Sequence, residues 1–321
     1  MDVFETHVYA IGMRSRFRSI TVREGVLLRG PDGWGEFCPF EGYDAAESAP
    51  WLACAHESAT AGWPEPVRDR VPVNCTVPAV SPERAHAIAA ESGCRTAKVK
   101  VADVGSSVAE DRERVAAVRD ALGPAAAIRV DANGAWDVDR AVVAIGELDR
   151  AAGGLEYVEQ PCPTAEELAT VRRGVDVRIA ADESIRRAED PLRIAELGAA
   201  DVAVLKVAPL GGVRRALRLA EACGLPCVVS SAVETSVGLA AGLALAGALP
   251  ELDFACGLGT TALLTGDVVT DSLTAVDGEL PVPRRPPEPD PALLERHAAD
   301  AATRSRWLGR MNEVAEHRLS G

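Results

Sequence analysis

The chain has 321 residues, 47% of them hydrophobic and 26% charged, the make-up of a soluble globule long enough to bury a large core. Its formal net charge of −14 argues against nucleic acid as a partner, because phosphate binding needs a basic face. A metal ion and local lysines can still reverse the sign inside one cleft, so an anionic substrate remains open. The first residues lack the basic start, apolar stretch and cleavage site of a secretory signal. The longest apolar run, 237–249, is too short to cross a bilayer. Eight cysteines (38, 54, 75, 94, 162, 223, 227 and 256) include no C-x-x-C pair, and Cys223 and Cys227 lack a second pair or a histidine partner. Free buried thiols in a reducing compartment are expected rather than disulfides or zinc ligands, hence a cytoplasmic protein.

In chain order, residues 3–9 alternate as a strand. Residues 23–29 lead through the turn Pro31-Asp32-Gly33 into Trp34-Gly35-Glu36-Phe37, a hairpin signal. A helical pattern follows over 44–61, so 1–71 reads as a small α+β unit. From about 72 the rhythm changes. Short apolar runs begin near 72, 96, 127, 155, 178, 201, 226 and 253, separated by amphipathic stretches. Residues 107–122 and 137–151 are clear helices, with Ser or Asp start signals and Gly stop signals. Eight evenly spaced runs favour a closed (β/α) barrel over a doubly wound open sheet. No strong helix follows the eighth run before Pro281. Six prolines in 281–291 read as a rigid, non-helical connector. The charged, helical remainder is expected to leave the barrel and pack on the first unit. The expected division is 1–71, a barrel at 72–285, and a returning segment at 286–321.

Chemistry concentrates at the strand ends, where barrel catalytic groups are found. Asp131, Glu159 and Asp182 end three successive runs, and three hard oxygen ligands at such a mouth suit Mg²⁺. Lys98-Val99-Lys100 ends the run before them and Lys206 the run after. Strand alternation puts Lys98 and Lys100 on one face, as it does Asp131 and Asn133. Each of the two lysines disfavours the other's charge, which is expected to lower a lysine pKa far enough to make a base. Lys206 is then a second base or a fixed cation. The histidines (7, 56, 86, 297 and 317) all lie away from the strand ends.

Weaker candidates surround that set. Ser230 and Ser231 close the seventh run and either bind a substrate carboxylate or make a turn. Gly257 and Gly259 follow the eighth run and allow backbone N–H groups to approach a ligand; Gly211-Gly212 opens a helix. Arg14, Arg16 and Arg18 with Phe17, and the stretch 40–43, are either lids over the barrel mouth or solvated loops.

Lys98-Val99-Lys100, Asp131-Ala132-Asn133, Glu159-Gln160-Pro161, Asp182-Glu183-Ser184 and Lys206 together resemble the enolase superfamily, and within it the muconate-lactonizing subgroup. The resemblance runs over nearly the whole chain. It implies an α/β fold, a modified (β/α)₇β TIM-type barrel with an α+β capping domain built from both terminal segments. It further implies Mg²⁺, with Mn²⁺ as a substitute, held by Asp131, Glu159 and Asp182. Lys100 is then the base that takes a proton α to a carboxylate, Lys206 a cation beside the substrate, and Lys98 a modulator of Lys100. The wording of 23–28, 34–37 and 254–259 points within the subgroup to a dehydratase that aromatises a succinyl-bearing hydroxycyclohexadiene carboxylate. The alternative is an N-succinylamino acid racemase or dipeptide epimerase using both lysines for 1,1-proton transfer. Either way the substrate is a small-molecule dicarboxylate, with no nucleic acid or membrane partner, whatever the oligomeric state.

Overall fold

A computed structural model describes residues 4–17, 20–187 and 191–320. Val3 and Arg18, read above as parts of a strand and of a basic loop, lie outside the described residues. The chain opens with strands β1 (Glu5–Phe17), β2 (Ile20–Arg29) and β3 (Trp34–Phe37), an antiparallel sheet in that order. The β2–β3 turn closes with Gly30 N–H donating to Gly33 O at 2.9 Å. Helix α1 (Ala45–Thr60) starts on a capping box, Asp44 with Glu47, a motif that fills orphan N–H groups at both residues. It lies across β3, all four of whose residues are buried. Gly35 makes that approach possible, since a Cβ there would drive into the Ala55 backbone carbonyl.

The first barrel run splits in two. Strand β4 (Arg70–Pro72) pairs antiparallel with β12 (Glu279–Pro281), and β5 (Cys75–Val77) begins the barrel proper. From there strand and helix alternate: α2 (Pro82–Glu91), β6 (Thr96–Lys100), α3 (Val108–Leu122), β7 (Ala127–Asp131), α4 (Val138–Ala152), β8 (Tyr157–Glu159), α5 (Ala165–Gly174) and β9 (Ile179–Ala181). Two single turns follow, α6 (Glu183–Arg186) and α7 (Arg193–Glu196), then β10 (Val202–Leu205), α8 (Val213–Cys223), β11 (Cys227–Val229) and α9 (Ser236–Ala248). Strands β5 to β11 form one parallel sheet in sequence order. The eighth run contributes only two residues to pairing. Cys256 bridges Val73 and Gly257 bridges Ser230, both in parallel, which joins the two sheet edges. That closure removes the open-sheet alternative.

The expected helices are present, with Ser107 and Asp137 as N-caps and Gly153 in the left-handed conformation (φ 63°) ending α4. The apolar stretch at 237–249 belongs to α9, buried on nearly every side, and among the described residues no helix is long and apolar enough to cross a membrane. The proline-rich stretch is non-helical up to Asp290, and the expectation fails only at Pro291. Pro281 completes β12, and Pro291 begins helix α10 (Pro291–Arg296), a position where its missing N–H costs nothing. Helix α11 (Ala301–Ser320) packs on α1, β1 and β2, with Trp307 and Val314 buried in the contact.

Two glycines test this packing with opposite signs. Gly35→Ala is expected to destabilise the protein by about 1–3 kcal/mol through overpacking against α1. Gly309→Ala, exposed on α11 with open space at its Cβ, is expected to stabilise by about 0.5–1 kcal/mol. Urea unfolding measures both, and a Gly35→Ala protein as stable as its parent would contradict the β3–α1 contact described.

Candidate active site

The parallel register fixes who meets whom at the mouth of the barrel. Lys100 lies opposite Asp131, and Asp131 opposite Glu159. Asp182 follows directly on β9, Lys206 on β10 and Ser230 on β11. The three carboxylate residues are 0% exposed and the three lysines 4–8%. Six ionisable groups are thus brought out of water together, which is tolerable only if they are paired.

They are paired with one another. Lys98 Nζ donates to Asp131 Oδ2 at 3.2 Å and to both Glu159 oxygens at 3.0 Å. Lys100 Nζ donates to Asp131 Oδ2 and, at 2.8 Å, to Asn133 Oδ1. Lys206 Nζ donates to Asp182 Oδ2, while Arg186 Nε takes Asp182 Oδ1 at 2.8 Å. Burial opposes the charge on Lys98, but the Glu159 and Asp131 carboxylates outweigh it and hold its pKa well above the usual lysine range. The expected mutual lowering of the lysine pair therefore fails at Lys98, because its carboxylate partners are in direct contact. Burial likewise opposes the charge on Asp131, yet Lys100 and Lys98 keep it well below the usual carboxylate range. Glu159 goes the other way: burial and the neighbouring Asp131 charge push it up.

Among the described residues, no three His, Cys, Asp or Glu side chains converge closely enough to chelate an ion as they stand. The donor chemistry nevertheless fits a hard divalent cation. All three candidates offer carboxylate oxygens, and Asp131 and Asp182 both act on Glu159 at close electrostatic range. The lysine ammonium groups now supply the countercharge that such an ion would take over.

The chamber above these groups is narrow. Phe17 and Phe40 come down from the cap, and Thr76, Ser230, Ala232, Val233, Gly257 and Thr260 form the barrel side, around a cavity of about 20 Å³. That admits about one water, and on the other side of Phe17 and Lys100 a wider cavity of about 270 Å³ is lined by Arg16, Asp103 and Asn133. Lys100 Nζ lies 5.2 Å from the centre of the Phe17 ring. Of the weaker candidates, Phe17, Phe40, Ser230, Ser231 and Gly257 all border this chamber, and a Cβ on Gly257 would press on Ser230 Oγ at 2.7 Å. The Ser231 hydroxyl is committed internally: it donates to Glu234 and accepts from Val233 N and Thr260 Oγ1. Tyr43 stands outside the chamber, its hydroxyl accepting from Arg186 Nη1. Gly259 opens a 3₁₀ turn and Gly212 caps α8, and none of the five histidines lines the chamber.

Three further residues have roles that the sequence reading did not assign. Gln160, with φ 41°, accepts at Oε1 from the N–H groups of Asp182 (2.9 Å) and Ser184 (3.2 Å), so it sets the chain direction after β9. Arg186 clamps Asp182, Glu183 and the cap residue Tyr43 together. Arg129, two residues before Asp131 and so on the same strand face, is 0% exposed. It stacks between Tyr157 (4.7 Å) and Phe254 (5.8 Å) and donates to Asn74 Oδ1 and Ala255 O. An arginine inside an otherwise apolar run was the available signal.

Family models described as enolase N-terminal domain-like and enolase C-terminal domain-like match residues 8–59 and 81–286. An o-succinylbenzoate synthase of Thermobifida fusca is 63% identical, covering 93% of this chain and 96% of its own. One from Mycolicibacterium smegmatis is 54% identical, over 97% and 95%. Among solved structures, muconate lactonizing enzyme from Pseudomonas fluorescens superposes with a TM-score of 0.81 at 24% identity, covering 92% of this chain and 98% of its own. That likeness concerns the fold. The L-Ala-D/L-Glu epimerase of Bacillus subtilis gives 0.72 at 26%, over 89% and 97%.

The buried pairing has a measurable cost when half of it is removed. Lys98→Met, in the presence of a chelator, is expected to lose about 3–5 kcal/mol of unfolding free energy, because Glu159 and Asp131 keep their burial and lose a partner. A loss below about 1 kcal/mol by urea titration would show that the contacts of Lys98 are incidental.

Proposed function

We infer the reaction from one premise: the chain belongs to the o-succinylbenzoate synthase family of the enolase superfamily. It is a lyase of the dehydratase type. The reaction we propose is loss of water from 2-succinyl-6-hydroxy-2,4-cyclohexadiene-1-carboxylate to give o-succinylbenzoate, a step of menaquinone biosynthesis. The observation that carries the reading is the buried carboxylate trio with Lys100 at one end and Lys206 at the other, beneath a narrow chamber bordered by the cap. Its eight unpaired cysteines suit a reducing compartment, and we assign it to the cytosol.

Asp131, Glu159 and Asp182 are the residues proposed to hold Mg²⁺, or Mn²⁺ in its place. When bound, the ion supplies Lewis-acid neutralisation of a substrate carboxylate whose α-proton is otherwise very weakly acidic. Lys100 takes that α-proton, and the C–H electron pair passes into an enediolate. As the C–O bond at the hydroxyl-bearing carbon breaks, that pair becomes the last ring double bond. The Lys100 ammonium returns its proton to the departing hydroxyl, so water leaves and the ring is aromatic. Asn133 Oδ1 orients the Lys100 ammonium. Lys206 stays protonated as a cation beside the ring. Lys98 keeps Asp131 and Glu159 together. Ser230 and Gly257 form the wall proposed to meet the substrate, and Ser231 braces that wall from behind.

Loss of the diene's ultraviolet absorbance, followed with and without Mg²⁺, tests the reading. Fast, metal-dependent loss is expected. Lys100→Ala should lower kcat by about 10³-fold or more with the fold retained, and Asp131→Asn should weaken Mg²⁺ binding by about 10-fold or more in calorimetry. A folded Lys100→Ala protein with near-parental turnover ends the base assignment. The pair Lys100 and Lys206 would also serve a racemase. Deuterium entering the α-carbon of an N-succinylamino acid in D₂O, with no diene turnover, transfers the assignment to 1,1-proton transfer.

A further inference from the structure

Arg23 belongs to none of the groups above. It sits on cap strand β2, yet it is only 2% exposed. A buried guanidinium must find acceptors for its fork of donors, and here the acceptors come from both halves of the molecule. Nε donates to Val233 O at 3.0 Å and Nη2 to Ala232 O at 3.3 Å, both on the loop after β11. Nη2 also reaches Cys38 O in the cap, and the guanidinium lies 4.8 Å over the Phe40 ring. Phe40, Ala232 and Val233 are all chamber walls. One side chain therefore joins the cap wall to the barrel wall.

The loop it holds is strained. Val233 has φ 65°, a left-handed conformation that a β-branched residue adopts only when its surroundings impose it. Its N–H is fixed by Ser231 Oγ at 2.8 Å, which in turn is held by Glu234 and Thr260. Its carbonyl is fixed by Arg23. Just beyond, the cap carboxylate Glu36 accepts from Thr235 N (3.1 Å) and Gly238 N (2.9 Å), at the start of α9. The two cap charges thus match the backbone they meet: the cation takes carbonyls, and the anion takes the N–H groups of a helix N-terminus.

We propose that Arg23 is a positioning residue for the dehydration: it imposes the strained 230–234 loop, and with it the substrate-binding wall made by Ser230, Ala232 and Val233. The proposal rests on the dehydratase reading. Because this wall binds the substrate and touches no reacting atom, its loss falls on KM and spares kcat. Lysine keeps the charge of Arg23 but lacks the planar fork that spans two carbonyls.

The test is steady-state kinetics on the diene at saturating Mg²⁺ for the parent, Arg23→Lys and Arg23→Lys/Val233→Gly. Arg23→Lys is expected to raise KM about 10-fold or more and to change kcat less than about 3-fold. Glycine adopts φ 65° without strain but gives up the Val233 side chain of the wall, so the double variant should recover part of the loss, lowering KM about 3-fold or more relative to Arg23→Lys. A merely structural Arg23 would lower the melting temperature, leave KM alone and gain nothing from Val233→Gly. An unchanged KM, a loss confined to kcat, or a double variant no better than Arg23→Lys overturns the proposal. So does failure of both variants to fold, which would make Arg23 a folding residue. A parent without diene turnover overturns the reaction itself, whereas an active parent with an unaffected Arg23→Lys overturns only the positioning role.

Discussion

Everything at the mouth of this barrel depends on the mutual neutralisation of three buried carboxylates and three buried lysines. Neither set is tolerable alone. An isolated carboxylate deep in a protein is costly enough to take up a proton, and an isolated ammonium is costly enough to lose one. Set at adjacent strand ends by the parallel register, the two sets hold each other charged, and Lys98 shows the result directly: contact with Glu159 and Asp131 outweighs its burial. The balance is uneven at Glu159, which feels two neighbouring acids and shares a single lysine with Asp131. A fixed array with adjacent carboxylates at its centre is suited to a divalent cation, and the lysines it would release are then available to a substrate.

Such an array needs dry walls, and the cap supplies them through charge as well as through shape. Phe17 and Phe40 cover the chamber, cap residues Tyr9, Ile11, Leu27 and Trp34 pack on Val233, Val237 and Leu263 of the barrel side, and polar ties add direction to that apolar contact. Arg310 of α11 donates to the carbonyls of Pro39, Phe40 and Tyr43, which fixes the Phe40 segment from above. Arg186 ties the hydroxyl of Tyr43 to Asp182 and Glu183 at the barrel rim. Hydrogen bonds of this kind are directional, so they set where the aromatic lids sit as well as how firmly.

The sequence was legible wherever the information is local. Lys98, Lys100, Asp131, Glu159, Asp182 and Lys206 could be placed because alternation and strand order translate directly into position at a barrel mouth. The helices at 108–122 and 138–152 could be placed because Ser107, Asp137 and Gly153 are end signals within the segment itself. What stayed hidden depends on distant partners. Arg23 meets Val233 across 210 residues and Glu36 meets Thr235 across 199, and nothing near either residue announces it. Ser231 reads from the sequence as either a substrate contact or a turn, and the turn's internal bonds to Glu234 and Thr260 are what the structure adds. The lysine pKa was misjudged at Lys98 for the same reason: spacing showed the like charge two residues away, and contact with the opposite charge came from other strands.

The eighth barrel unit shows how cap and barrel share one backbone economy. After Gly257 there is no covering helix; the chain turns through the 3₁₀ segment Gly259–Leu263 and then runs along the cap. Leu264 bridges Met13 of β1, and Thr265 N–H donates to Gly12 O at 2.8 Å. Farther along the same edge, Ala10 N–H donates to His297 O and Ala299 N–H to Val8 O, each at 2.9 Å. Strand β1 is an edge strand of its own sheet, and such an edge invites pairing with another chain. Here the segments that would have completed a regular barrel, together with the chain leading into α11, occupy that edge. The missing helix is therefore the means by which β1 is held over the mouth, with Phe17 at its end reaching to Lys100. A regular eighth helix would close the barrel more uniformly, but it would take from β1 the Leu264–Thr265 contact nearest the lid.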